Sequence, residues 1–295
     1  MTTKQTSKSF GDKWQSDAGK NFAITKEEVE EQILSLFACN KEEDLNEIFK
    51  DDMNCLDAGC GVGWAEALYN INPKVNRFAI DISDSVEVAA TRTKDIENVL
   101  VLKSDIGKLP FKYKFFDIIF SNGVLHHTGD TQKYFSILCD HLKPGGIIGV
   151  YIYNKKPLIR SLADKYIRKN TTKLSHQECV DLSTQITLLG KSLSKINEFL
   201  EVEEDIPLLG IKKGKYNLQR FIYNHFIKCF YDINYDISKS VITNLDWYHP
   251  VNVTFHTSEE ILSWFYDNNI RYNVRLIQPN GWKHSGYFVS GRKVE

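Results

Sequence analysis

No stretch of this 295-residue sequence approaches the roughly 18 consecutive apolar residues that a membrane-spanning helix needs. The opening MTTKQTSKSF also lacks the apolar core of a signal peptide. None of the six cysteines, Cys39, Cys55, Cys60, Cys139, Cys179 and Cys229, stands in a C-x-x-C pair, so neither a zinc-ligand pattern nor a dithiol redox motif is present. Several lie in apolar runs and read as small buried hydrophobes of a reducing compartment. Neither sign of charge is in excess: 37 Lys and Arg face 38 Asp and Glu, a net charge of -1. That balance gives no reason to expect a broad polyanion-binding surface, although a local basic patch is compatible with it. There is no internal repeat and no low-complexity tract. These absences lead to the expectation of a soluble cytoplasmic protein without a membrane segment. The length suits one large α/β domain with an insertion, or two modest domains.

What is present is an alternation of short apolar runs with helical stretches. Strands are predicted at 54–58, 75–81, 98–105, 115–122 and 145–153, the last after the turn signal KPGG. Helices are predicted at 26–37, 84–94 and 131–142. The first of these helices carries apolar positions Val29, Ile33, Leu34 and Phe37 at three- and four-residue spacing. Near-continuous apolar strands separated by helices imply a parallel sheet covered on both faces, an α/β doubly wound fold. A helix with a Thr-x-x-Glu start at 257–265 and two closing strands, 271–278 and 284–293, bring the strand count to seven. Between them, 154–250 reads as an inserted, purely helical cap. One amphipathic helix is read from Leu182 to Leu200 and another from Leu218 to Ile233. The organisation is then an N-terminal segment 1–45, an α/β domain of 46–153 and 251–295, and the cap.

The stretch NCLDAGCGVGWAEAL (54–68) carries Gly59, Gly61 and Gly63 on the turn from a strand into a helix. Glycines there let backbone approach a ligand and present amides at a helix start. The alternative is a tight turn packed for its own sake. The dinucleotide fingerprint G-x-G-x-x-G is not matched; the spacing is G-x-G-x-G with Asp57 two residues before it. A pyrophosphate would be repelled by Asp57, whereas a cationic ligand would be attracted, which weighs against NAD.

With three further motifs in order, the sequence resembles the class I S-adenosylmethionine-dependent methyltransferases over roughly 50–153 and 255–292. The resemblance implies a Rossmann-like, mostly parallel seven-stranded sheet. It also implies S-adenosylmethionine as cofactor, S-adenosylhomocysteine as product, and no metal. Asp57, Gly59, Cys60, Gly61 and Gly63 match the motif that wraps the methionine part. Asp81, at the end of a strand, matches the acid that grips both ribose hydroxyls, two oxygens facing two donors. Ile82 would lie against the adenine. Ser104, Asp105 and Ile106 match the segment that reads the adenine edge. The alternative for each acid is a helix N-cap or a solvated loop position. In FFDIIFSNGVLHHT (115–128), Ser121 and Asn122 would line the cofactor, and His126 and His127 would face the acceptor. Methyl transfer from a sulfonium needs alignment of the nucleophile and exclusion of water. An oxygen nucleophile usually also needs its proton removed, a task suited to histidine. His126 is the expected base, with a hydrogen-bonded core histidine as its alternative, and His127 is read as a base or a structural residue. The Asn/Asp-Pro-Pro-Tyr/Phe motif of enzymes that methylate exocyclic or amide nitrogen is absent. The N-terminal Phe10 and Trp14, four apart, either cover the cofactor site or anchor the terminus.

Substrate contacts are expected in the cap at Tyr216, Arg220, Tyr223, Tyr248 and His249. The first expectation is methyl transfer to an oxygen of a small metabolite, sugar-like or secondary-metabolite acceptor. The basic cluster Lys212, Lys213, Lys215 and Arg220 leaves an RNA- or tRNA-modifying enzyme as a second, lower-ranked reading. A non-catalytic cofactor-binding regulator is the third. Oligomeric state is not legible.

Overall fold

The computed structural model describes residues 2–16, 24–68, 72–196, 198–277 and 285–294. Phe22 of the N-terminal segment lies outside the described residues, as do Gln278 and His284 at the ends of the two closing strands. Within the described residues the chain forms two compact units. The sheet unit takes 24–154 and 252–294, and the helical unit takes 3–16 and 155–251. The N-terminal segment is therefore divided between them, its first helix lying in the helical unit.

In the sheet unit, β1 (Asn54–Ala58), β2 (Asn76–Asp81), β3 (Val99–Lys103), β4 (Phe116–Asn122) and β5 (Leu142–Tyr153) are parallel. The last two strands, β8 (Ile270–Ile277) and β9 (Gly286–Lys293), close the sheet antiparallel, in the order β3-β2-β1-β4-β5-β9-β8. Strand alternation explains why these segments read as continuous apolar runs. The row Leu56–Ile119–Ile148 faces one core, and the neighbouring row Cys55–Ile118–Ile147 faces the other. The KPGG segment, read above as a turn, is instead the start of β5, where pairing with β4 shifts register between Phe116 and Ile118.

Helices cover both faces. Helix α2 (Lys26–Phe37) starts at a Thr25–Glu28 capping box and buries Val29, Ile33, Leu36 and Phe37. Leu36, rather than Leu34, completes its buried stripe. On the opposite face, α6 (Thr131–His141) and α11 (Ser258–Asp267) meet through stacked rings of Phe135 and Phe265, centroids 4.7 Å apart. Short helices α3 (Glu42–Asn46) and α4 (Trp64–Leu68) and the nine-residue α5 (Ser85–Thr93) complete the layers. Strand order reverses direction at β1, which has β2 on one side and β4 on the other. Ligands of such sheets bind outside the carboxyl ends of the strands at that switch.

The helical unit contains α1 (Thr2–Gln15), α7 (Leu158–Thr171), α8 (His176–Ser194), α9 (Leu218–His225) and α10 (Ile237–Tyr248). The first helix buries Thr6, Ser9 and Lys13, leaving Phe10 and Trp14 half-buried beside them. Three features depart from the sequence reading. The unit is not purely helical: β6 (Phe199–Val202) and β7 (Gly214–Asn217) form a hairpin. Neither four-residue strand has a buried residue, β6 being mostly exposed and β7 mostly half-buried, so no buried face imposes the alternation by which strands are read.

Next, α8 stops at Ser194 and buries Cys179, Ser183, Ile186, Thr187 and Gly190, while Leu188 and Leu189 are exposed. The stripe of large residues misleads because the close contact is made by small ones. Finally, α9 ends at His225, and the chain to Ile233 is irregular. Its backbone groups are satisfied from α10. Asn244 accepts from the Phe230 amide and donates to its carbonyl, at 2.9 and 3.0 Å. The Tyr248 hydroxyl does the same for Lys228, at 3.1 and 3.2 Å.

Phe135 is fully buried in the core beneath α6. Replacement by alanine should lower unfolding free energy by about 3–5 kcal/mol, through lost burial and the cavity left behind. Urea denaturation checks this, and an unchanged midpoint would refute the packing.

Candidate active site

The turn that leaves β1 is built by its neighbours. The amides of Gly59 and Cys60 both donate to the Ile80 carbonyl at 2.8 Å, tying the turn to the end of β2. Gly59 has φ +98°, and a Cβ there would stand 2.3 Å from Val124, just beyond β4. Only glycine fits, for both reasons. The Gly61 amide donates to Asp81 Oδ2 at 3.0 Å, while Asp81 Oδ1 accepts from the Ser83 amide and hydroxyl at 2.8 and 2.7 Å. Both lone-pair directions of Oδ1 are thereby taken, and Oδ2 keeps one for a further donor.

The neighbouring strand ends converge on this point. The Ser104 amide donates to the Asp81 carbonyl at 2.9 Å. Asp105 caps a short 3₁₀ turn, accepting from the Gly107 amide at 2.7 Å, and Ile106 beside it is buried. Ile82 is more than a third exposed. On the β4 side, Ser121 donates to the Ala58 carbonyl at 2.7 Å, and Asn122 donates to Gln32 at 2.6 Å.

Both histidines after β4 are buried, and their bonds assign different tautomers. The Tyr153 amide donates to His126 Nδ1 at 3.4 Å, so the neutral ring carries its proton on Nε2. This ring also stacks on Tyr153, centroids 3.6 Å apart. His127 Nδ1 lies 2.9 Å from the Asn252 carbonyl, which can only accept. That ring therefore carries its proton on Nδ1 and its basic lone pair on Nε2, the state a general base requires. The Nδ1 lone pair of His126 is thus taken by a backbone amide, whereas His127 keeps its lone pair on Nε2.

One charged group of the turn escaped the sequence reading. Glu66, on α4, is buried and its carboxyl bonds that of Asp57, also buried. Burial, then the Glu66 charge, pushes the Asp57 carboxyl well above the carboxylate range; burial raises Glu66 as well. Two carboxyls in contact hold one proton between them, so the pair presents one negative charge rather than two. The Arg77 guanidinium donates to the Glu66 carbonyl at 3.2 Å. Beside the pair lies a cavity of about 30 Å³, lined among others by Cys55, Asp57, Glu66 and Arg77. An acid inside the apolar stretch WAEAL was the available signal.

The expected substrate residues do not gather at one opening. In the helical unit, Tyr248 is fully buried, its hydroxyl tied to Lys228 and, at 3.3 Å, to Asp164. His249 Nδ1 is bonded to Ser9 at 2.6 Å, and Tyr223 is buried. All three are buried in the interior of that unit. Arg220 is half-buried, and burial lowers its guanidinium to about 10. Tyr216 is half-buried on the hairpin and donates to the Lys212 carbonyl. Lys212 of the basic cluster is ion-paired to Asp205 at 2.8 Å. Trp14 also belongs to the helical unit, with Lys13 Nζ 3.7 Å from its ring. Among the described residues no group of three or more His, Cys, Asp or Glu is placed to hold a metal ion, and no helix is long and apolar enough to cross a membrane.

The sheet order, the glycine turn and the acid at the end of β2 define a class I S-adenosylmethionine-dependent methyltransferase. A family model described as a methyltransferase domain matches residues 49–215, and the chain belongs to that family. A malonyl-[acyl-carrier protein] O-methyltransferase of Bacillus anthracis is 32% identical over 94 residues, 32% of this chain and 35% of that protein. The protein of the same description in Buchnera aphidicola subsp. Baizongia pistaciae is 30% identical over 161 residues, 50% of this chain and 62% of that one. The chain thus spans less than two thirds of either relative. The solved structure of a CurJ carbon methyltransferase superposes with a TM-score of 0.50 at 11% identity, over 97% of this chain and 57% of that chain, and shares the fold.

The Asp57–Glu66 pair makes stability depend on pH. Both folded-state pKa values are raised, so the folded state holds protons the unfolded chain releases. The contribution is full below the unfolded carboxylate range and is lost as pH rises toward the folded values. Between about pH 5 and 8, a Glu66→Gln variant should therefore gain stability relative to the parent protein, read from denaturation midpoints at each pH. A constant difference would contradict the pairing.

Proposed function

We propose that this enzyme transfers the methyl group of S-adenosylmethionine to an oxygen of a small acceptor, with His127 as the base. The observation that carries the choice of oxygen is the His127–Asn252 bond, which places the imidazole lone pair on Nε2. Acceptor oxygens bearing a proton need such a group; a thiolate or carboxylate does not. The O-methyltransferase names of the two curated relatives support oxygen as the acceptor atom.

The residues fit the cofactor. When bound, it supplies an activated sulfonium methyl group with a neutral thioether as leaving group. With no side chain at Gly59 the turn closes against Val124 and is tied to the end of β2, beside which the methionine part would lie, and the single charge shared by Asp57 and Glu66 favours a cation nearby. Asp81 is held by Gly61 and Ser83 with one direction of Oδ2 left to accept from a ribose hydroxyl, and the second hydroxyl would have to displace the Ser83 hydroxyl from Oδ1. Ile82 is exposed for stacking on the adenine, with Asp105 and the backbone of Ile106 at its edge. Ser121 and Asn122 are held by Ala58 and Gln32 and line the same end of the sheet. His126 packs on Tyr153 and positions the loop that carries His127.

Two measurements test this reading. Asp81→Ala should weaken S-adenosylmethionine binding by about 2–4 kcal/mol, the scale of lost charge-assisted hydrogen bonds, as read by calorimetry. Unchanged affinity would remove the ribose assignment. With labelled cofactor and the cell-extract fraction that accepts label, His127→Ala should reduce kcat/KM by about 10²–10⁴-fold with cofactor affinity retained. A larger loss for His126→Ala than for His127→Ala would overturn the choice of base.

A further inference from the structure

Helix α7 carries its polarity inside out. Its inward face is Arg160, Asp164, Arg168 and Thr171, all buried. Arg160 Nε donates to Asp164 at 2.8 Å, and its Nη1 donates to the Tyr223 carbonyl. Arg168 donates to the carbonyls of Trp247 and Pro250, and Thr171 to that of Tyr248. The outward face carries Leu158, Leu162 and Tyr166, four residues apart and 46, 55 and 73% exposed. Residues so spaced stand one above the other along a helix. A second row, Lys165 and Lys169, runs beside the first and continues at Lys173, just past the helix end. All three lysines are exposed, and among the described residues none of them makes an ion pair. Asp164, the one acid of the helix, is turned inward.

The interior fixes this orientation. Rolling the helix over to bury its leucines would leave the carbonyls of Tyr223, Trp247 and Pro250 without their donors. Single exposed apolar side chains are ordinary on a protein surface. A straight row of three, with lysines as the only charges beside it, is the polarity of a helix that lies in a lipid headgroup layer. There the leucines and the tyrosine ring reach the acyl boundary, while the lysine stems extend and carry their ammonium groups to lipid phosphates. Three apolar side chains alone give weak attachment, so negative lipid charge must supply the rest. A second copy of the chain suits the face less well, because pairing it with itself would set lysine against lysine.

We propose that the outward face of α7, Leu158, Leu162 and Tyr166 with Lys165, Lys169 and Lys173, docks on an anionic lipid surface. The test is co-sedimentation of the full chain with vesicles of phosphatidylcholine, and of phosphatidylcholine mixed equally with phosphatidylglycerol. The chain should sediment with the mixed vesicles, scarcely with the neutral ones, and less as salt is raised. Leu162→Ala should lower partition onto the mixed vesicles by about tenfold, on the scale of the methylenes withdrawn from lipid. Lys165→Gln should lower it by about fivefold, the share of one lysine near such a surface. Both variants should keep the urea midpoint of the parent protein, since both side chains face solvent. A fall in midpoint like that of a core truncation would show the face to be packed and overturn the docking surface. So would no sedimentation with mixed vesicles, or sedimentation unchanged in both variants. Equal binding to neutral vesicles would overturn the role of the lysines. Binding to soluble polyglutamate as tight as to mixed vesicles would assign the face to an acidic protein instead. A dimer of the chain that Leu162→Ala dissociates would assign it to a second copy.

Discussion

The close approach of backbone at Gly59 is the constraint on which the site depends. Val124 fills the space a Cβ would need, the Ile80 carbonyl takes two consecutive amides, and Asp81 takes a third from Gly61. In this way the ends of β1, β2 and β4 are locked to one another without any side chain from the turn itself. A side chain at Gly59 would have to displace Val124, and with it the loop that carries His126 and His127. Hydrogen bonds in this position are directional and shielded, so the geometry is set before any ligand arrives.

The two units solve burial differently. The sheet unit is held by apolar rows packed on both faces of the sheet. The helical unit has a polar interior. Arg168 donates to carbonyls at the end of α10, reaching Trp247, Pro250 and Val251, while Thr171 donates to the Tyr248 carbonyl at 2.6 Å. Cations near the carboxyl end of a helix are favourably placed. Such networks add less net stability than apolar packing of equal volume, but they restrict the arrangements the chain can adopt.

That difference also decides what the sequence revealed. The seven strands and the turn at Gly59 were legible because a sheet buried on both faces forces continuous apolar runs, and because glycine marks a turn where backbone packs closely. The helical unit was read poorly for the opposite reason. Its helix contacts are made by Cys179, Ser183 and Gly190 rather than by leucines, its hairpin is exposed, and its irregular segment is held by Asn244 and Tyr248 from a distant helix. Glu66 was hidden because an acid in a short helix start is read as a solvated residue. The choice between His126 and His127 could not be made from residue types, since it depends on which backbone group each Nδ1 meets.

The central claim is that this turn and the acids beside it hold a cationic sulfonium nucleoside rather than a dinucleotide. Calorimetric titration of the purified chain with S-adenosylmethionine, S-adenosylhomocysteine and NAD tests it most directly. The account predicts saturable binding of the first two and none of NAD. Binding of NAD in their place, or no binding of either sulfur nucleoside, would contradict it.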